Sequence, residues 1–105
     1  MSASQTTDTA RPAGLTLRGL SPEQVLAIAD IVTSRFSCTV RDYQALAAIA
    51  GASTARFHGI ATTEDVFTLA RGVERIALAL SPLSDRNATF ASVVASVIIA
   101  LNDRR

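Results

Sequence analysis

Few residues in this chain have the chemistry of a nucleophile or a base. Cys38 is the only cysteine and His58 the only histidine. Nucleophilic catalysis needs a base held against the nucleophile and a third group to orient that base, and no motif around either residue supplies one. A small, buried thiol and a half-exposed imidazole are the expected roles. One histidine and one cysteine cannot close a tetrahedral metal site without carboxylates, so no metal or other cofactor is expected. Glu64 and Asp65 are adjacent on a helical stretch and point apart; they suit the positive end of a helix dipole better than paired acid–base work. The five glycines form no phosphate-cradling loop. The chain therefore reads as non-enzymatic. What remains is a set of binding type: Ser53, Thr54, Arg56 and His58 within one short stretch, with Arg41 upstream. Hydroxyls, guanidinium and imidazole at that spacing suit hydrogen bonds to phosphates, base edges or a polar protein surface.

Helices must position these groups. Residues 1–14 are rich in Ser, Thr, Ala and Gln and close on Pro12 and Gly14, the composition of a flexible, disordered tail. Residues 15–105 are then a single helical domain. "SPEQ" offers Ser21 as N-cap, Pro22 at the first helical position and Gln24 at the third, and it opens an amphipathic helix over 22–36 with Val25, Ile28, Ala29, Val32 and Phe36 inward. "TVRD" repeats the spacing, with Thr39 as cap and Asp42 answering, for a helix through Ala50 that stops at a left-handed Gly51. Ser53 or Thr54 caps a short helix to about Ala61. "TTED" opens a longer one behind Thr62, with Val66, Leu69, Val73, Ile76 and Leu80 on one face and Glu64, Thr68, Arg71 and Arg75 on the other. Ser81 and Pro82 end it.

The last helix starts after Ser84 or Asp85 and runs to about Asn102. Phe90, Val93, Val94, Val97, Ile98 and Leu101 make a broad bulky face, and Ala88, Ser92, Ser96 and Ala100 a small-residue ridge at spacing four. Such a ridge admits a second helix at close range, so this helix is either a dimer seam, with the bulky face as its candidate interface, or the centre of the bundle. Only "LTLRGL" at 15–20 could form a strand. The fold class is all-α, a small bundle of about five helices.

"ALAAIAGASTARFHGI" (45–60) carries a resemblance. Over Tyr43 to Thr62 the pattern resembles the helix-turn-helix of DNA-binding proteins: Ala47 fits the small crossing position, Gly51 the turn, and Leu46, Ala50, Ala52, Phe57 and Ile60 the buried positions. The resemblance implies a recognition helix from about Ser53 to Ala61 presenting Ser53, Thr54, Ala55, His58 and Gly59 to base edges. Arg56 and Arg41 would then meet phosphate, and the protein would be a dimeric regulator on duplex DNA. The pattern departs at Gly59, inside the proposed recognition helix, and at Phe57, bulkier than the usual β-branched residue.

Composition leaves two readings open. Ten arginines with no lysine, against nine acidic residues, give a net charge of +1, too little for the phosphate attraction that dominates DNA affinity. Hydrophobic residues make up 49% and mean hydropathy is +0.30, an apolar excess for a chain of 105 residues. That excess favours the second reading, a helical protein–protein interaction module acting as inhibitor, adaptor or assembly subunit, with homo-oligomerisation through the C-terminal helix. The longest apolar segment, 88–101, is short of a bilayer span, the first residues lack a signal peptide's apolar run, and a lone cysteine suits a reducing cytoplasm. No membrane partner is expected.

Overall fold

The computed structural model describes residues 17–54 and 63–103. They form four helices, α1 (Pro22–Phe36), α2 (Tyr43–Ala52), α3 (Thr63–Leu80) and α4 (Asn87–Leu101), with no strand beyond one isolated bridge. The all-α class holds, with four helices in place of about five. The expected short helix after Ser53 falls on 55–62, outside the described residues.

α1 begins as its sequence dictates. Gln24 N–H donates to the Ser21 hydroxyl at 3.1 Å, and Ser21 N–H donates to the Gln24 side chain at 2.8 Å, a reciprocal capping box with Pro22 at the first position. It ends without glycine: Ser37 takes the left-handed conformation at φ 56°, and its N–H donates to the Thr33 carbonyl.

α2 corrects the reading of "TVRD". Its cap is Asp42, whose carboxylate accepts the Ala45 N–H at 3.1 Å, and Thr39 lies outside the helix. Thr39 is drawn off by the α3–α4 connection. Its N–H donates to the Ser84 hydroxyl, and its carbonyl accepts the Ser84 N–H at 2.8 Å, while the Arg41 and Asp42 N–H groups both donate to the Pro82 carbonyl. Val40 and Leu83 meet there as an antiparallel bridge. A spacing of three between Thr39 and Asp42 mimics a capping box, but tertiary pairing takes the backbone away. Gly51 is likewise a helical residue and not a left-handed stop; α2 runs on to Ala52 and is capped at Ser53, whose N–H donates back to Ile49 and Ala50.

The short connections 37–42 and 81–86 fold α1 with α2 and α3 with α4 as antiparallel pairs. Each helix packs on two others: α1 on α2 and α4, and α3 on α2 and α4, with α3–α4 the most extensive pair. The Thr39–Ser84 contacts gather both connections at one end, which leaves Ser21, Ser53 and Asn102 at the other. The core runs through Leu20, Val25, Ile28, Ala29, Val32, Leu46, Ile49, Ala50, Ala70, Val73, Ala77, Leu83, Phe90, Ala91, Val94, Ala95 and Ile98. On α3 the buried stripe is Ala70, Val73 and Ala77, turned from the expected one; Ile76 and Leu80 remain 39% and 40% exposed. The small alanines of α3, with the buried Ala91 and Ala95 of α4, permit the close approach that turns the stripe.

Candidate functional site

Among the described residues, the proposed DNA-contact residues Arg41, Ser53 and Thr54 do not assemble into one face. Arg41 is exposed, but it lies in the α1–α2 connection, and the length of α2, about 15 Å for ten residues, separates it from Ser53. Arg56 and His58 lie outside the described residues. Thr54 is exposed, with its hydroxyl donating to the Gly51 carbonyl at 2.8 Å. Ser53 is fully buried. Its hydroxyl accepts the Leu20 N–H at 2.7 Å and donates to the Ala50 carbonyl at 2.7 Å, so no part of it is presented to a base edge. Ala47, assigned to a helix crossing, is exposed, although Leu46 and Ala50 are buried as expected. Those two assignments, Ser53 as a base contact and Ala47 as a crossing residue, are therefore corrected: the first is a core cap, the second a surface residue.

The bulky face of α4 is also reassigned. Phe90, Val94 and Ile98 have no solvent exposure and belong to the core of their own chain, while Val93, Val97 and Leu101 are half-buried at its margin. A second copy cannot use Phe90, Val94 or Ile98 without opening the bundle. The small ridge behaves in the opposite way: Ala88, Ser92, Ser96 and Ala100 all face solvent, with Ile99 half-buried beside them. α4 contains no charged residue, so its outer surface is uncharged from end to end.

Beside it, α3 exposes Phe67 at 45% and Leu78 at 44%. They share an outer stripe with Arg71 and Glu74, at successive spacings of four, three and four, the repeat by which one helix meets another. Sequence patterning reads the outer side of α3 as Glu64, Thr68, Arg71 and Arg75 and passes over Phe67 and Leu78, two large apolar residues standing among those charges.

Other groups with chemical potential stand apart. Cys38 is half-buried and free. A shallow, open depression on α1 is lined by Asp30, Ile31, Ser34 and Arg35. The Arg86 guanidinium stacks on the Phe36 ring, 4.4 Å from its centroid, and fastens the start of α4 to the end of α1. Among the described residues no group of His, Cys, Asp and Glu is placed to hold a metal ion, and no helix is long and apolar enough to cross a membrane. The chain matches no family model, no curated protein and no solved structure.

Proposed function

We propose that the protein is a non-enzymatic helical interaction module that self-associates through the outer surface of the α3–α4 pair. The observation that supports this is the uncharged, solvent-facing ridge of Ala88, Ser92, Ser96 and Ala100, on the helix that packs most extensively on α3, where Phe67 and Leu78 are exposed. Small residues let an opposing helix come near, and large apolar ones beside them gain from leaving water. Two helices about 22 Å long and about 9 Å apart present about 400 Å² per partner, half of a standard interface, so the association is a weak, reversible one.

Sedimentation equilibrium tests it. The wild-type chain is expected to shift from monomer toward dimer as concentration rises to about 0.5 mM, in keeping with a weak interface. Ser92→Glu with Ser96→Glu places a charge on each protomer's ridge and is expected to hold the chain monomeric with an unchanged helical circular dichroism spectrum. A wild type that stays monomeric throughout, or a dimer indifferent to both substitutions, overturns the reading. The DNA-binding alternative makes a different prediction, retardation of duplex DNA that falls steeply with salt and is lost in Arg56→Ala. Against it stand the burial of Ser53, the distance of Arg41 and the net charge of +1.

A further inference from the structure

Residues 17–20 belong to no helix or strand, yet they are hydrogen-bonded and partly buried against the bundle. Leu17 and Leu20 are 7% and 1% exposed. Between them the main chain is gripped by side chains from two helix ends. The Asn102 carboxamide, just past α4, pairs with Arg18 in both directions: Arg18 N–H donates to Oδ1 at 2.8 Å, and Nδ2 donates to the Arg18 carbonyl at 2.9 Å. At the end of α2, Ser53 Oγ accepts the Leu20 N–H at 2.7 Å. Gly19 sits against the same turn, where an added Cβ would collide with the Ser53 carbonyl. No other residue type fits there without moving backbone.

These are the properties of a seated peptide. Hydrogen bonds to its main chain hold a non-helical segment, two apolar positions are buried, one position tolerates glycine alone, and Arg18 is exposed. The partners come from α2 and α4, which do not pack on each other, so the segment bridges two separate helix ends. We propose that this end of the bundle is a binding groove for an extended Leu-x-Gly-Leu peptide, held shut by the chain's own residues 17–20 and open to the same segment of a second copy once they detach. Its ligand is defined by the segment already in place. Reciprocal exchange of that segment would join two copies without any new surface, and it uses none of the α3–α4 outer face.

A tethered occupant acts at an effective concentration in the millimolar range, so a free peptide competes poorly with it in the wild-type chain. Gly19→Ala unseats the tethered segment and leaves Ser53 and Asn102 in place. The probe is a fluorescein-labelled peptide of sequence LTLRGLS, corresponding to residues 15–21, followed by anisotropy on the full chain. Gly19→Ala is expected to bind it at least about tenfold more tightly than wild type, because the internal competitor is gone. The same peptide with alanine for its glycine is expected not to bind, and adding Asn102→Ala is expected to weaken the gain about tenfold. Equal binding by wild type and Gly19→Ala, equal binding of the two peptides, or no binding overturns the proposal. So does failure of Gly19→Ala to fold, because a detachable segment leaves the bundle standing. Native-state hydrogen exchange on wild type gives an independent reading: the Arg18 and Leu20 amides are expected to exchange through a local opening, ahead of the α4 core amides. Exchange only with global unfolding refutes it.

Discussion

Ser53→Ala separates a core cap from a surface contact more sharply than any other single change. The substitution removes about one heavy atom from a fully buried site, so the lost packing is minor, and the loss of hydrogen bonding dominates. Leu20 N–H, buried with its residue at 1% exposure, loses its acceptor at 2.7 Å, and the Ala50 carbonyl loses a donor. A buried donor left unpaired costs about 1–3 kcal/mol. For a domain near 100 residues, 2 kcal/mol corresponds to a fall in Tm of about 8–16 °C. Thr54→Ala is the control. Its hydroxyl bonds an exposed helix-end carbonyl that water can serve equally well, and a change within about 0.5 kcal/mol is expected. Urea denaturation followed by circular dichroism at 222 nm measures both. A Ser53→Ala chain within about 0.5 kcal/mol of wild type would refute the assignment, since that is the range of an ordinary surface substitution.

Two further substitutions test corrected helix boundaries. Asp42→Ala is expected to lower stability by about 1 kcal/mol through loss of the α2 cap, and a loss as large in Thr39→Val, measured by the same denaturation, would return the cap to Thr39. Gly51→Ala and Gly72→Ala are each expected to stabilise the chain by about 0.5–1 kcal/mol: both glycines are helical, neither has positive φ, and a Cβ meets nothing within 4 Å at either. A drop in Tm for Gly51→Ala would mean that the residue turns the chain after all.

What could be read from sequence is what local chemistry decides. Ser21, Pro22 and Gln24 specify the start of α1 without outside help, and the inward stripe of Val25, Ile28, Ala29 and Val32 follows from spacing alone. The bulky face of α4 was legible as a face that is either a dimer seam or the centre of the bundle, and only the packing of α1 and α3 on α4 decides between the two for Phe90, Val94 and Ile98. Thr39 misled because its partner, Ser84, is 45 positions away. Ser53 misled for the same reason: a hydroxyl just after a helix reads as polar surface unless Leu20, 33 positions upstream, is known to lie across it. The ends of α1 at Phe36 and of α3 before Ser81 and Pro82 were legible, but the left-handed turns at Ser37, Ser81 and Arg86 fall on residues with no special preference for them, so composition carried no sign of that backbone conformation.

The pairing of Arg18 with Asn102 also bears on how the molecule assembles. It spans 84 positions, whereas each helix hairpin closes over a short connection. Contacts of such range form only after the elements between them are in place, because the entropy of closing the loop must be met before the contact returns anything. The clasp at Asn102 is thus expected to form after the folding transition state, so that Asn102→Ala, followed by stopped-flow folding and unfolding, speeds unfolding with little change in the folding rate. The lifetime of the folded chain is set in part by one carboxamide at its far end.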